Sequence, residues 1–318
     1  MIKFKKNLIM ILVTLAVSIV MLVGCSQKEN VNTKPTNGTT NQETNTSYSA
    51  EYLTDIEIFK KEMLDNNIVI LDARGEDSYK KGHIKGAIPI TWQPFTKQDV
   101  KPGDKGWGVV LPKDELAKKL GELGINKDKK VIVYGNKDGW GEDGRIVWML
   151  RMAGINSTML NGGIELWESQ KNEITKDSTN ITPVECKIDS YDLSMNITTE
   201  ELKKNYDKIT IIDARAKDEY EGATKFGEAR GGHLPKAINL TFSNVYNQDG
   251  TIKKIEELQK MFEEKGLKKD SEIVTYCTGG IRSAHLALVL KMSGYDKVKN
   301  YDASYYEWAG DKSNTVEK

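Results

Sequence analysis

The sequence predicts an α/β protein of two tandem domains, each built on a parallel sheet with helices flanking both faces. Two observations support this fold class. Short apolar and β-branched runs, such as 68–72, alternate with stretches that predict helices, which is the pattern of a helix-covered parallel sheet. The same set of motifs also occurs twice, and 318 residues are enough for two ordinary domains.

Each copy of the repeat is marked by an apolar run that ends in Asp-Ala-Arg. These runs predict buried strands, and the aspartate that ends each one is placed to bond the N–H groups of the following loop. A repeat of this length indicates a duplicated domain, because solenoid units span only some tens of residues. The matched segments are 68–74 with 209–215, 82–89 with 232–239, 150–154 with 290–294, and Trp167 with Trp308.

The first 50 residues lie outside the predicted fold. A basic start, an apolar run over 8–23 and the ending Leu22-Val23-Gly24-Cys25 predict a secretory signal. This ending resembles the bacterial lipobox, which implies cleavage before Cys25, lipidation of its sulfur and anchoring on the extracytoplasmic side of the cell membrane. An uncleaved membrane helix is the alternative. Residues 26–50 are polar and predict a disordered tether.

The rest of the chain divides into two predicted domains of similar length. Their boundaries follow from the repeat and from a polar stretch between the copies that contains Pro183. The predicted units are the signal peptide (1–25), the tether (26–50), a first domain (51–172), an interdomain linker (173–195) and a second domain (196–318).

Charge and cysteine content narrow the classes of protein. The 46 basic and 46 acidic residues balance, so the totals do not indicate a nucleic-acid partner. Three cysteines do not make a disulfide framework. A disulfide between Cys186 and Cys277 would consume the thiol that carries the proposed chemistry.

Cys277 is the candidate nucleophile. Residues 272–275 predict a buried strand and residues 284–292 a helix that ends at Gly294, so the thiol lies where a strand ends and a helix begins. The N–H groups of a glycine turn and the positive end of the helix then favour the thiolate, which is the reactive form. A buried structural cysteine is the alternative. The glycine pair and the adjacent Arg282 favour the nucleophile.

The same stretch resembles a known family. A cysteine, a short glycine-bearing loop and a helix that ends in a Gly-Tyr turn at 294–295 resemble the active-site signature of the rhodanese sulfurtransferases. Residues 298–308 resemble the closing strand and helix of that family. The resemblance implies two rhodanese-like domains and a sulfurtransferase that moves a sulfane sulfur from thiosulfate or 3-mercaptopyruvate through a Cys277 persulfide.

The candidate substrate-binding residues are those of the cysteine loop and two further arginines. Arg282 closes the loop and is expected to hold a thiolate or an anionic donor. Arg230 lies in an insertion that the first domain lacks, where mercaptopyruvate-type members hold the substrate carboxylate with an arginine. For Arg215, pairing with an acid such as Glu219 is the alternative. The loop candidates are Thr278, Gly279, Gly280, Ile281, Arg282 and Ser283.

The first domain lacks the thiol. Gly135 stands where Cys277 stands in the second domain, so this copy resembles the inactive first domain of tandem rhodaneses, which walls one side of the active cleft. Trp140 is a candidate for that wall, with ordinary packing as the alternative. His83 matches a cleft-facing histidine of mercaptopyruvate-type members. Gly279 replaces the serine partner of that histidine, and a hydrogen-bonded corner is the alternative role for His83.

The implied mechanism is a double displacement. Cys277 attacks the outer sulfur of the donor, the loop N–H groups stabilise the persulfide, and cyanide or a thiol accepts the sulfur. This chemistry implies no metal or organic cofactor. Two alternatives remain, a non-catalytic persulfide carrier or partner-binding module and a phosphatase with a cysteine loop. Four residues separate Cys277 from Arg282, one fewer than in phosphatase loops, which favours sulfur transfer.

Overall fold

A computed structural model of the chain describes residues 51–65 and 67–318. The predicted signal peptide, the tether and Cys25 lie outside these described residues. None of the helices that the described residues form combines the length and the hydropathy needed to span a bilayer.

The first domain is built on a parallel sheet with strand order β1–β5–β4–β2–β3. Its central strands are apolar on both faces, as expected for a parallel sheet covered by helices, and Val131, Ile132 and Val133 of β4 are fully buried. The strands are β1 (Leu53–Thr54), β2 (Ile68–Asp72), β3 (Ala87–Pro89), β4 (Lys130–Tyr134) and β5 (Ser157–Leu160). The helices are α1 (Ile56–Glu62), α2 (Glu76–Lys81), α3 (Lys113–Glu122), α4 (Glu142–Met152) and α5 (Gly163–Ser169).

The second domain repeats this sheet with strand order β7–β6–β8–β9. At the β9 edge, an isolated parallel bridge between Asn196 and Asn300 stands where the first domain has β1. The strands are β6 (Thr210–Asp213), β7 (Ile238–Asn239), β8 (Ile273–Tyr276) and β9 (Val298–Asn300). The helices are α6 (Thr199–Asn205), α7 (Lys217–Tyr220), α8 (Ile255–Glu264), α9 (Ile281–Met292) and α10 (Ser304–Gly310).

The duplication extends to individual hydrogen bonds at the ends of equivalent strands. Tyr134 at the end of β4 donates its hydroxyl proton to Asp72 at the end of β2, with 2.7 Å between the oxygens. Tyr276 at the end of β8 donates to Asp213 at the end of β6 in the same way, at 2.5 Å. The predicted fold class, two tandem domains with parallel sheets flanked by helices, is confirmed.

The domains join through α4 and α9, which pack against each other. Both helices are buried along most of their length, and their central residues are predominantly apolar. Val147 and Trp148 of α4 and Leu286 of α9 are fully buried and belong to one apolar cluster with members from both domains. The N-terminal end of α9, where Cys277 lies, is therefore held at the interface between the domains.

Candidate active site

Cys277 lies in the turn between β8 and α9, with only 1% of its surface exposed. The helix begins at Ile281, three residues earlier than the sequence suggested, so the turn is short. The Gly280 N–H donates to the Cys277 sulfur at 3.1 Å. Gly280 has a φ of +87°, and a Cβ there would lie 2.5 Å from the Asp302 carbonyl oxygen. Only glycine fits this position.

The environment of the sulfur favours the thiolate. Burial raises the pKa of the Cys277 thiol, but the charge of Arg282 and hydrogen bonds from Ser283 and from the Gly279 N–H lower it by more. The net pKa is below the ordinary value for cysteine. The buried Ser283 hydroxyl has no other partner among the described residues, so it is free to face the sulfur. Cys277 is thus poised as a nucleophile rather than packed as an inert apolar residue.

Arg282 is held by an acid that the sequence analysis did not assign to the site. Its two terminal nitrogens donate to the two carboxylate oxygens of Glu219, at 2.6 and 2.8 Å, and one of them also donates to the Thr278 hydroxyl at 2.7 Å. Glu219 lies in α7, and Ser78 holds the equivalent position in the first domain, directly before the matched tyrosine. An acid at this position in the second copy, where the first copy has serine, was the signal that could have identified Glu219.

Arg215 does not reach the pocket, which corrects its assignment as a substrate-binding residue. It is fully buried and pairs with Asp213 at 2.6 Å rather than with Glu219. Its guanidinium group also lies over the Tyr305 ring, 4.0 Å from the ring centre. Arg74 forms the equivalent pair with Asp72 in the first domain, so this arginine stabilises the end of a strand in both copies.

Arg230 is also placed away from the thiol, and its role differs from the expected one. The guanidinium group donates to carbonyl oxygens of the C-terminal segment and clamps that segment against the insertion. Because these backbone carbonyl oxygens occupy its donors, the guanidinium group is not free to bind a substrate carboxylate in this arrangement. The carbonyl oxygens belong to Trp308, Ala309, Asp311 and Asn314.

The predicted loop residues surround a pocket of about 290 Å³ that opens at Cys277. Thr278, Gly279, Ile281 and Arg282 line it, whereas Gly280 contributes its N–H from behind the sulfur. The opposite walls are aromatic, and Trp140 of the first domain is one of them. Among the described residues, no group of three or more His, Cys, Asp or Glu side chains is arranged to hold a metal ion.

Comparison with known proteins identifies the family. The sequence profile described as "Rhodanese-like domain" matches residues 55–170 and 198–311, which together cover most of the chain. The chain belongs to the rhodanese family. The two matches fall on the two sheets. A cysteine follows β8 in the second rhodanese domain, whereas Gly135 follows the corresponding strand, β4, in the first.

Relatives of this rhodanese carry names from sulfur metabolism. The sulfur carrier protein TtuD of Thermus thermophilus is 32% identical over 72% of this chain and 83% of that protein. A protein of Saccharopolyspora erythraea, named provisionally as a thiosulfate sulfurtransferase, is 31% identical over 77% of this chain and 89% of its own length. These relatives support a role in sulfur transfer.

A solved structure shares the fold. The anaerobic ergothioneine biosynthesis enzyme of Chlorobium limicola, crystallised with its natural substrate trimethyl histidine, superposes with a TM-score of 0.76 and 21% sequence identity. The match covers 85% of this chain and 71% of that chain. At this level of identity the likeness establishes the arrangement of the two rhodanese domains and no further property.

The equivalent turn of the first rhodanese domain is closed to a thiol. A Cβ added at Gly135 would lie 3.0 Å from the Asp143 side-chain carbon and within 3.3 Å of both its carboxylate oxygens. The Asp143 carboxylate therefore fills the space that a cysteine side chain would need. The cavity beside it measures only about 20 Å³, which leaves room for little more than a water molecule.

The first domain nevertheless contributes to the cysteine loop. Arg145, near the start of α4, is 99% buried and pairs with Asp302 of the second domain. It also donates to the Gly280 carbonyl oxygen at 3.4 Å and to the Gly108 carbonyl oxygen at 2.9 Å. Gly280 also donates its N–H to Cys277, so an arginine of the first domain holds the residue whose N–H contacts the sulfur.

His83 serves as a corner and not as part of the cleft. Its ring stacks on Tyr79, with 3.6 Å between ring centres, and its two nitrogens contact the carbonyl oxygens of Tyr79 and Asp177 at 2.9 and 3.0 Å. His233 stacks on Tyr220 with the same spacing in the second domain. Both histidines are buried, so the alternative that the sequence left open for His83 is the one observed.

Proposed function

We propose that this rhodanese is a sulfurtransferase in which Cys277 takes a sulfane sulfur from thiosulfate and passes it to a thiophilic acceptor. The observation that carries the proposal is the Cys277 sulfur itself. It lies in the turn before α9, accepts a hydrogen bond from the Gly280 N–H, has a lowered pKa and opens into a pocket between the domains. Such a thiolate is a nucleophile for sulfur.

The reaction divides into two displacements. The Cys277 thiolate attacks the outer sulfur of thiosulfate, the sulfur–sulfur bond of the donor breaks, and sulfite leaves with the bonding electron pair. The persulfide anion that remains is stabilised by the N–H groups of the loop and by the charge of Arg282. An acceptor such as cyanide then attacks the outer sulfur of the persulfide and releases the Cys277 thiolate.

Two contacts support thiosulfate over 3-mercaptopyruvate as the donor. Arg230, the arginine expected to hold a substrate carboxylate, is occupied by carbonyl oxygens of its own chain. A side chain at Gly279, where mercaptopyruvate-type loops carry serine, would place its Cβ 2.9 Å from the Trp107 ring. The two interactions that the resemblance implies for mercaptopyruvate therefore have no support in this arrangement.

The pairing of Arg282 argues against the phosphatase alternative. A phosphate dianion in the loop would lie near the Glu219 carboxylate, which both terminal nitrogens of Arg282 already contact. With both terminal nitrogens occupied in this way, Arg282 is not available to hold two oxygens of a phosphate. The loop is also one residue shorter than the loops of phosphatases, which leaves less room for a tetrahedral oxyanion.

Sulfur transfer to cyanide tests the proposal. The chain from Ser47 onward contains every described residue and would be assayed with thiosulfate and with 3-mercaptopyruvate, beside Cys277→Ser. We expect thiocyanate formation with thiosulfate and an intact mass that rises by one sulfur after donor treatment, both lost in Cys277→Ser. Absence of both in the unaltered protein under reducing conditions would contradict the proposal.

A persulfide carrier is the second candidate function, favoured by the similarity to the sulfur carrier protein TtuD. A carrier would gain the mass of one sulfur on Cys277 but would not turn over with cyanide. Transfer would then require a partner protein. The mass measurement and the cyanide assay therefore separate the two functions in one experiment.

We also propose that the protein is a lipoprotein anchored on the extracytoplasmic side of the membrane. The proposal rests on the sequence up to Cys25, which lies outside the described residues. We expect incorporation of labelled fatty acid into the full chain and its loss in Cys25→Ser. A protein that remains unlabelled would contradict the anchor.

A further inference from the structure

The pocket above Cys277 has aromatic walls that thiosulfate does not require. On one side, Trp107 meets Trp92 and Tyr306 edge to face, with ring centres 5.9 and 5.0 Å apart. On the other side, Trp140 meets Phe226 in the same way at 5.1 Å. All five rings line the pocket together with the cysteine loop. A further flat ring can meet such rings in the edge-to-face or offset-stacked arrangements that aromatic groups prefer.

These rings come from separate parts of the chain and converge only in the folded protein. Trp92 and Trp107 lie between β3 and α3. Trp140 lies in the first-domain turn between β4 and α4, which is equivalent to the cysteine loop of the second domain. Phe226 lies in the insertion that only the second domain has. The Tyr306 hydroxyl donates to the Phe226 carbonyl oxygen at 2.7 Å and so ties the two walls together.

Two of the rings remain exposed to water, which is unfavourable for apolar side chains. Trp140 is 47% exposed and Phe226 39% exposed, and both belong to the few large apolar side chains of the described residues that remain accessible. Exposed apolar groups that border a cavity are typical of a binding site. The Arg282 guanidinium lies 4.9 Å from the centre of the Trp140 ring and 5.7 Å from that of Phe226, and it holds this wall in place.

Gly279 adapts the loop to the opposite wall. A Cβ at this position would lie 2.9 Å from the Trp107 ring and 3.4 Å from the Tyr306 ring. The missing side chain lets both rings approach the loop directly. The Trp107 and Tyr306 rings therefore line the pocket close to the Cys277 loop.

The charged side chains of the pocket do not favour a negative group on the ring of an acceptor. Arg282 and Glu142 are the charged side chains of the lining. Arg282 is neutralised by its two bonds to Glu219. The Glu142 carboxylate accepts a hydrogen bond from the backbone N–H of Trp140 at 2.7 Å and forms no ion pair within the described part of the chain. A negative group on the body of a larger acceptor would therefore meet no unpaired lining cation, whereas thiosulfate is small enough to lie within reach of the loop N–H groups.

We propose that the pocket admits a thiol acceptor that carries a flat ring close to its sulfur and no negative charge on that ring. The proposal rests on the proposed function, because it concerns the second displacement. The acceptor thiolate attacks the outer sulfur of the Cys277 persulfide, a new sulfur–sulfur bond forms, and the Cys277 thiolate leaves with the electron pair. The product is the persulfide of the ring-bearing thiol.

Three thiols test this acceptor class by their rates with the persulfide-loaded chain from Ser47 onward. Benzyl mercaptan carries a flat ring, propane-1-thiol lacks it, and 4-(mercaptomethyl)benzoate adds a negative charge to it. We expect kcat/KM for benzyl mercaptan to exceed that for each of the others by about tenfold or more. Rates within threefold of each other would overturn the proposal.

Variants of the walls show whether the rings cause the preference. In Trp140→Leu and, separately, in Trp92→Leu, the ratio of the benzyl to the propyl rate is expected to fall to about threefold or less. Leu193→Ala removes an exposed apolar side chain outside this pocket and should keep the full ratio. A ratio that survives in both tryptophan variants would overturn the proposal.

A binding measurement separates this proposal from the proposed function. In Cys277→Ser, which cannot form a persulfide, benzyl alcohol and propan-1-ol would be titrated while the indole N–H resonances of the pocket tryptophans are followed. Selective shifts with benzyl alcohol support the aromatic site even if the protein fails to transfer sulfur to cyanide. Equal or absent shifts would overturn it even if transfer to cyanide is efficient.

Discussion

Two side chains determine the charge next to the reactive sulfur. Arg282 stabilises the Cys277 thiolate, and Glu219 binds Arg282 through both carboxylate oxygens. Bidentate pairing of this kind orients the planar guanidinium group better than a lysine ammonium could be oriented. Arg282 also holds the Thr278 hydroxyl, so one arginine joins the loop, α7 and the first-domain Trp140.

At this scale we predict opposite effects for the two partners. Arg282→Met removes the positive charge and is expected to raise the Cys277 pKa by about one unit or more. Glu219→Gln removes the compensating charge and should lower that pKa below its value in the unaltered protein. The midpoint of inactivation by iodoacetamide against pH measures both, because only the thiolate reacts and its fraction rises with pH through the pKa.

The double variant Glu219→Gln with Arg282→Met serves as the control for a buried unpaired charge. It should lie near Arg282→Met in its midpoint, since the charge that Glu219 compensates is absent. Midpoints that shift in the same direction for both single variants would show that loop distortion, rather than charge, controls the thiol.

At the scale of elements, the same strand-turn-helix unit holds different chemistry in the two domains. In the second domain the turn after β8 presents a thiol to N–H groups, whereas in the first domain the Asp143 carboxylate fills the equivalent space beside Gly135. Burial and the nearby Glu142 carboxylate raise the pKa of Asp143 to about 7, while the Gly144 N–H lowers it in part. The strand-turn-helix unit therefore keeps its conformation in the first domain, where the turn has no thiol.

The raised pKa of Asp143 predicts a pH-dependent gain in stability for Asp143→Asn. The ionised carboxylate is disfavoured in the folded protein, so Asp143 lowers stability progressively as the pH rises from about 4 to about 7. Asp143→Asn should match the unaltered protein near pH 4 and exceed it by at least about 1 kcal/mol at pH 8. Urea unfolding at both pH values measures this difference.

Asp138→Asn is the matched control, because Asp138 is an exposed acid of the same turn that pairs with Lys137. Its effect on the free energy of unfolding should be small at both pH values. An equal effect of the two substitutions, or a loss of stability in Asp143→Asn at pH 8, would contradict the prediction.

At the scale of the whole molecule, the domain without a thiol completes the active site. It supplies three tryptophans of the pocket and the Arg145 side chain that fixes Gly280. The buried helices α4 and α9 would expose their apolar faces if the domains separated. The two domains are therefore expected to function as one unit.

We predict that Arg145 positions the cysteine loop across the domain interface. Arg145→Met combined with Asp302→Asn avoids an unpaired buried charge and is expected to lower kcat/KM with cyanide by about tenfold or more. The iodoacetamide midpoint should also rise, because the Gly280 N–H is held less firmly against the sulfur. A purely structural role would lower the melting temperature without moving the midpoint.

Arg151→Met is the control, since Arg151 lies on the same helix but bonds Ser157 and Glu51 away from the thiol. It should leave both the rate and the midpoint close to those of the unaltered protein. An equal loss in the two variants would indicate general destabilisation and would contradict a positioning role for Arg145.

Much of the fold and the position of the candidate nucleophile were accessible from the sequence. Apolar runs that end in Asp-Ala-Arg marked β2 and β6, and the repeat identified the duplication. The glycine turn before a helix identified Cys277, because local geometry alone places N–H groups near its sulfur. The arginines were harder, since Arg215 and Arg230 occupy suggestive positions in sequence yet bond Asp213 and carbonyl oxygens in the structure.

What the sequence determined by itself was local: strand and helix patterning, the duplication, and a thiol in a turn whose conformation needs glycine. What only the tertiary structure decided was which distant groups meet at that thiol. Glu219, Arg145 and the five aromatic rings come from six separate segments, and their convergence depends on how α4 and α9 pack. Periodicity reports which face of an element is buried, but it does not report which element of another domain covers that face.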